Sequence, residues 1–287
     1  MKMVKDMKIG NGDNFCDVEK YKLYRTVYDI LHPTISKKNI SNYKVVFDEK
    51  LLPTLVFYPK RVSNMNSVII MVPGWGMVSN SYGKYSDICK RIAKETDKLV
   101  VAIDYFGKDI KYPTTSNKVF RIINFLYDEF KKNGMREENI ILMSDSTGCG
   151  ILNRCLPRLH KKRKKLSKVI FAYPVCRMDY SDYEWDNTCL SINYNVDKKV
   201  NAYLKKYYSR SSEGEISLLN TKRFEDFPDV LVLTGDMDVF KKDGYMTSKK
   251  LKARYKNIKF ASHGFLSCDD EEILCNAYSE ICNFVND

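Results

Sequence analysis

From residue 67 onward the chain repeats one pattern: a short apolar run, a longer amphipathic stretch, then another short apolar run. The spacing predicts strands at 67–73, 98–104, 139–144, 167–174, 229–235 and 257–262. It predicts helices near 80–96, 115–132, 147–160, 240–254 and 269–285. Runs such as Ser67-Val-Ile-Ile-Met-Val72 are continuously apolar rather than alternating, so both faces of each strand need covering. Parallel neighbours require crossovers, and the helical stretches supply them. The expected fold is therefore α/β: a mostly parallel central sheet with helices on both faces. Upstream, Tyr43-Lys-Val-Val-Phe-Asp-Glu49 and Thr54-Leu-Val-Phe-Tyr-Pro59 predict an antiparallel hairpin at one sheet edge.

Two stretches stand outside this alternation. Residues 1–41 contain an aromatic-rich helical pattern, Tyr21 to Leu31, that ends at His32-Pro33. Residues 176–226 form a Tyr-rich insertion between two strands, with a helical pattern around 196–208. In open α/β sheets a ligand sits beyond the carboxyl ends of the strands, where inserted pieces tend to roof it. The expected organisation is an N-terminal lid segment, 1–41, and one main domain, 42–287, that carries a helical lid insertion at about 176–226.

At 287 residues and 44% hydrophobic content the chain can build one large core. No apolar run approaches the roughly 20 residues of a membrane span. The charged start, Met1-Lys-Met-Val-Lys-Asp-Met-Lys8, does not read as a signal peptide, so a cytoplasmic location is expected. Nine cysteines, an odd number without a C-x-x-C pair, read as buried free thiols of a reducing compartment. With three histidines and no Cys/His cluster at ligand spacing, neither a metal nor a cofactor is expected. The net charge of +12 is densest in His160-Lys-Lys-Arg-Lys-Lys165. No nucleic-acid motif accompanies this run, so it reads as a solvated loop and no nucleic-acid partner is expected.

Chemistry concentrates at the predicted strand ends. After Asn139-Ile-Ile-Leu-Met143 comes Ser144-Asp-Ser-Thr-Gly148, which is G-x-S-x-G with its first glycine replaced by serine. A serine on a sharp strand-to-helix turn needs small residues two before and two after it, and Ser144 and Gly148 flank Ser146 in that way. Of the histidines, His32 lies at a His-Pro boundary and His160 adjoins the basic run, which leaves His263 after a late strand. The acid is drawn from Gly235-Asp-Met-Asp238, where Asp236 and Asp238 compete and Asp243 is a distant third. The order Ser, Asp, His is that of α/β hydrolases. A glycine-rich turn, Val72-Pro-Gly-Trp-Gly-Met77, follows the first parallel strand, where backbone N–H groups can face a developing oxyanion.

Together these pieces resemble the α/β-hydrolase fold, and in particular the hormone-sensitive-lipase-like esterases, from about residue 67 to the C-terminus. Asp104-Tyr105 with Tyr112-Pro113 is similar to that family's D-Y-R-L-A-P-E-x-x-x-P segment, without its arginine and acidic residue. Gly235-Asp-Met-Asp238 resembles its G-x-x-D, which implies Asp238 as the triad acid, and Ser262-His-Gly-Phe265 resembles its H-G-F. Pro73-Gly-Trp-Gly76 stands where the family has H-G-G-G, and it is also similar to the H-G-W-G of other α/β hydrolases. The resemblance implies oxyanion donors at Trp75, Gly76 and Thr147, and the bulk of Trp75 implies short acyl groups. The function expected is a serine hydrolase that cleaves a small-molecule carboxylic ester through Ser146, Asp238 and His263. The alternatives are a non-catalytic ligand-binding member of the fold, or an amidase or acyltransferase with the same triad.

Overall fold

The structure is a computed structural model that describes residues 23–24, 40–47, 50–59, 66–74, 81–105, 112–177, 180, 204 and 216–287. Its strands are β1 (Leu23–Tyr24), β2 (Ile40–Phe47), β3 (Lys50–Phe57), β4 (Val68–Val72), β5 (Leu99–Ile103), β6 (Ile140–Asp145), β7 (Lys168–Ala172), β8 (Asp229–Gly235) and β9 (Arg254–Ile258). Its longer helices are α1 (Ser81–Thr96), α2 (Thr114–Lys132), α3 (Gly148–Lys161), α4 (Lys241–Leu251) and α5 (Glu271–Asn286). The strands form one sheet in the order β1-β2-β3-β5-β4-β6-β7-β8-β9. Strands β4 to β9 run parallel, and the β2–β3 hairpin joins the sheet antiparallel through β3 and β5. Pro53, which has no N–H to give, lies just outside the Thr54–Phe57 stretch that pairs with β5.

Period-two alternation divides the core. Val68, Ile70 and Val72 of β4 face one apolar layer with Val101 and Ile103 of β5, Leu142 of β6 and Phe171 of β7. That layer is closed by α2 and α3 through residues such as Val119, Ile123, Leu126, Ile151, Leu152 and Leu156. Ile69, Met71, Val100, Met143, Ile170 and Leu233 face the other way, against Ile88 and Ile92 of α1 and Ala277, Tyr278 and Ile281 of α5. Each helix repeats its buried positions at three- and four-residue intervals, so one apolar stripe meets the sheet. The α5 start is fixed locally: the Asp270 side chain accepts from the Glu272 and Ile273 N–H groups, with Glu271 and Glu272 in the first turn.

Between β7 and β8 the chain passes through Cys176 on its way out and through Leu218 on its way back, and these two points touch. The Leu218 N–H donates to the Cys176 carbonyl at 3.0 Å, and the Ser217 hydroxyl donates to the same oxygen at 2.8 Å. Most of the two expected lid regions, 1–41 and 176–226, lies outside the described residues.

Three expectations need correction. The last strand is Arg254–Ile258, not 257–262. Among the described residues it pairs with β8 alone, from Leu231↔Arg254 to Gly235↔Ile258, and all of it but Ile258 is exposed or half-buried, so apolarity does not mark it. The preceding helix accordingly ends at Leu251, capped by Lys252 in the left-handed region. Leu23–Tyr24, inside the stretch predicted helical at 21–31, is a strand parallel to Tyr43–Lys44. Aromatic and branched residues suit strands as well as helices, and pairing with a distant partner decides between them. Finally, the cysteines are not uniformly buried: Cys89, Cys149, Cys155 and Cys176 are, whereas Cys268 and Cys282 are half-buried and Cys275 is exposed. Cys16 and Cys189 lie outside the described residues.

Candidate active site

The chain order places the site. After β4 the chain adds β5 on one side and then crosses back to add β6 on the other. Such a switch point opens a crevice at the carboxyl ends of the strands. Val72 pairs with Ser144, so Pro73-Gly74 leaving β4 runs beside Asp145-Ser146 leaving β6. Asp145 pairs in turn with Ala172, and the Ser146 N–H donates to the Ala172 carbonyl at 3.0 Å.

Ser146 takes the left-handed conformation, φ 47°, between strand β6 and helix α3. A non-glycine residue there costs of order 1–3 kcal/mol and persists only where its surroundings hold it. Here Cys149 and Val175 both donate N–H bonds to the Ser146 carbonyl, each at 3.2 Å. Gly148 is required by close approach: a Cβ there would lie 2.6 Å from the Val72 and Pro73 carbonyl oxygens. Thr147 is buried at the head of α3. The helix's positive end therefore lies at the serine, where it favours negative charge.

The three chemically matched side chains converge from the ends of different strands. Ser146 Oγ is 2.8 Å from His263 Nε2, and His263 Nδ1 is 2.9 Å from Asp238 Oδ2. All three residues are buried. Asp238 is oriented by the Phe240 N–H, which donates to its Oδ1 at 2.9 Å. His263 is gripped edge-on by two rings, Tyr173 at 5.2 Å and Phe240 at 5.1 Å between centroids. The loop that carries His263 is tied to the acid loop by the Met237 N–H, which donates to the Ala261 carbonyl at 3.0 Å.

The competing carboxylates are elsewhere. The Asp236 backbone N–H extends the sheet by donating to Ile258, while its Oδ1 is buried with no hydrogen-bond partner. Asp243 is fully buried in a bidentate pair with Arg177, at 2.6 and 3.0 Å. His160 stacks on Phe224 at 4.1 Å, remote from the serine in its contacts, and His32 lies outside the described residues. Trp75 and Gly76 also lie outside them. The basic run closes α3: Lys164 pairs with Asp128, while Lys161, Lys162, Arg163 and Lys165 are exposed.

Sequence reasoning passed over the residues that hold the three in place. Phe240 and Tyr173 do so by ring packing, which no local motif announces. Asp145 had a signal: a carboxylate at the end of a strand that begins with the apolar run Ile140-Ile-Leu-Met143 and is wholly buried. Among the described residues no group of three or more His, Cys, Asp or Glu side chains stands where it could hold a metal ion, and no helix is long and apolar enough to cross a membrane.

A mostly parallel sheet that carries a strained serine on a strand-to-helix elbow, with a buried histidine and carboxylate beyond later strands, is the architecture of an α/β hydrolase. The chain belongs to the alpha/beta hydrolase fold family, whose model matches residues 69–266. It is 24% identical to Vegetative-specific protein H5 of Dictyostelium discoideum, over 92% of this chain and 84% of that protein. Among solved structures it is similar to the hyperthermophilic esterase from the archaeon Pyrobaculum calidifontis, with a TM-score of 0.73, 17% identity, and coverage of 90% of this chain and 86% of that one. It is also similar to carboxyl esterase 2 from the mycorrhizal fungus Tuber melanosporum, with a TM-score of 0.71, 16% identity, and coverage of 87% and 88%. At these identities the likeness is one of fold.

Proposed function

We propose that the chain is a serine hydrolase that cleaves a small carboxylic ester through an acyl-enzyme. One observation carries the reading: a continuous buried hydrogen-bonded chain from the Ser146 hydroxyl through both nitrogens of His263 to Asp238. Asp238 accepts from Nδ1 and so keeps that nitrogen protonated, which leaves Nε2 free of a proton and facing the hydroxyl. Ser146 Oγ attacks the ester carbonyl as its proton passes to Nε2. The imidazolium then protonates the departing alcohol, and a water activated by the same nitrogen hydrolyses the acyl-enzyme. The N–H groups of Trp75, Gly76 and Thr147 are proposed to stabilise the oxyanion, and the bulk of Trp75 to favour short acyl chains. Segments 1–41 and 176–226 are proposed as the lid, the second anchored where Cys176 at its start accepts from Ser217 and Leu218.

The experiment is covalent labelling with a fluorophosphonate, followed by peptide mapping and turnover of short p-nitrophenyl esters. The label is expected on the peptide that contains residues 144–150, and Ser146→Ala should lose labelling together with roughly 10⁴- to 10⁶-fold in kcat. Wild-type hydrolysis by Ser146→Ala would sink the reading. A labelled enzyme that turns over amides, or transfers its acyl group to an added alcohol, in preference to hydrolysing esters would keep the triad and change the reaction.

A further inference from the structure

The proton path above makes no use of Asp145, the residue that precedes Ser146, yet its buried carboxylate is fully engaged. Oδ1 accepts from the Gly74 N–H at 2.7 Å and from the Tyr85 hydroxyl of α1, and Oδ2 accepts from the Tyr173 hydroxyl at 3.1 Å. The Tyr85 and Tyr173 phenols are pushed well above their ordinary pKa by burial and then by the Asp145 charge, so both remain protonated donors. Burial also pushes Asp145 upward, while the bonds from Tyr85, Gly74 and Tyr173 pull it back.

Each partner matters for the geometry of the site. Gly74 leads directly into Trp75 and Gly76. It lies so close to the elbow that a Cβ at 74 would stand 2.6 Å from the Asp145 carbonyl oxygen and 2.8 Å from Ser146 Cβ. The neighbouring Pro73 carbonyl accepts from the Tyr105 hydroxyl. Tyr173 is itself strained, with φ 36°, and its ring packs on His263. A bulky residue in that region needs external support.

We propose that Asp145 is a positioning residue: its carboxylate clamps the Pro73-Gly74 loop to the nucleophile elbow and, through Tyr173, braces the ring behind His263. Hydrogen bonds to a carboxylate are roughly twice as strong as neutral ones, which suits a clamp that must hold backbone and ring together. The inference rests on the serine-hydrolase reading and is tested apart from it.

Asp145→Asn keeps the side-chain volume, removes the charge, and replaces one acceptor oxygen by a donor that faces other donors. With active sites counted by fluorophosphonate, kcat should fall about 10- to 100-fold while KM stays within about threefold, the expected cost of slightly misplaced reacting groups. Affinity for a phenylboronic acid, which forms a tetrahedral adduct, should fall by the same factor as kcat/KM. Tyr85→Phe and Tyr173→Phe should each cost less. Combined with Asp145→Asn, Tyr173→Phe should add little, because Tyr173 acts through the same carboxylate, whereas the Tyr85 hydroxyl also accepts from the Gly74 N–H at 2.7 Å. Hydrogen exchange supplies a readout independent of turnover: the Gly74 amide should be protected in the wild type and exchange faster in Asp145→Asn. Wild-type kcat and boronate affinity in Asp145→Asn, unchanged exchange at Gly74, or a fully multiplicative loss when Asp145→Asn is combined with Tyr173→Phe would each overturn the proposal. If Asp145→Asn does not fold, the two tyrosine variants decide, and wild-type kcat in both overturns it. An active wild type with an indifferent Asp145→Asn removes only this proposal, whereas a wild type that neither labels nor hydrolyses removes the serine-hydrolase reading with it.

Discussion

Two carboxylates two residues apart, Asp236 and Asp238, follow the same strand, and their surroundings give them opposite prospects. Asp238 accepts from His263 and from the Phe240 N–H, so both of its oxygens are committed to one orientation. The main chain of Asp236 is used instead: its N–H donates to Ile258 and its carbonyl accepts from the Lys241 ammonium at 2.6 Å. Asp238→Asn should therefore present an amide that favours the wrong imidazole tautomer, with a loss of about 10⁴-fold in kcat/KM, or about 5.5 kcal/mol in barrier. Asp236→Asn should stay within roughly tenfold, a barrier change of no more than about 1.4 kcal/mol. Kinetics of both variants on one short ester checks this, and the reverse pattern would move the acid to Asp236. The Asp243 pair with Arg177 leaves that residue a structural task at the entry to the insertion.

At the scale of elements, the site depends on strand ends being held at fixed offsets. Helices α1 and α5 cover the same sheet face, and Arg91 of α1 reaches Glu271 in the first turn of α5, with one N–H···O bond of 2.9 Å. Hydrogen bonding from Arg91 lowers the Glu271 pKa from its ordinary 4.5 to about 2. Because the folded-state pKa is depressed, the pair's contribution is present above about pH 4.5 and is lost as pH falls toward about 2. Both groups reach solvent, so the effect is small and screened by salt. The melting-temperature gap between wild type and Glu271→Gln should therefore be measurable near pH 6 in low salt. It should close on acidification and on addition of about 1 M salt, where the screening length falls to about 3 Å. A gap that persists at pH 2 would mean that Glu271 acts through packing instead. The same scale explains why apolar patterning puts the last strand too late in the chain: among the described residues β9 pairs with β8 alone and has little apolar content, so its extent is set by register with β8.

For the whole molecule, two apolar layers on one sheet make the core cooperative, and the buried thiols report on that cooperativity. Cys89, Cys149, Cys155 and Cys176 are buried, and burial raises the pKa of each, that of Cys155 to about 12. The thiolate is the reactive form, so these four should alkylate only when the core opens. Among the described cysteines, iodoacetamide at pH 8 should modify exposed Cys275 first, while the four buried thiols react slowly, at a common rate that rises together in denaturant. Early modification of any one of them in the native protein would mark a locally opening layer. Much of this architecture is legible in the chain, because burial on both faces of a strand and on one stripe of a helix imposes patterns that the order of apolar and polar residues displays. The elbow is legible for a related reason: a strained turn tolerates only small neighbours, so Ser144, Ser146 and Gly148 announce it locally. The sequence by itself determined the order of strands and helices from residue 67 onward and the short list of groups able to do chemistry. Only the tertiary structure decided that Asp238 rather than Asp236 meets His263, that Leu23–Tyr24 pairs with β2, and that Asp145 gathers Gly74, Tyr85 and Tyr173. The reason is that local periodicity records what each segment must bury, whereas hydrogen bonds between Ser146 and His263, 117 residues apart, exist only once strand register has brought the chain ends of several elements to one edge.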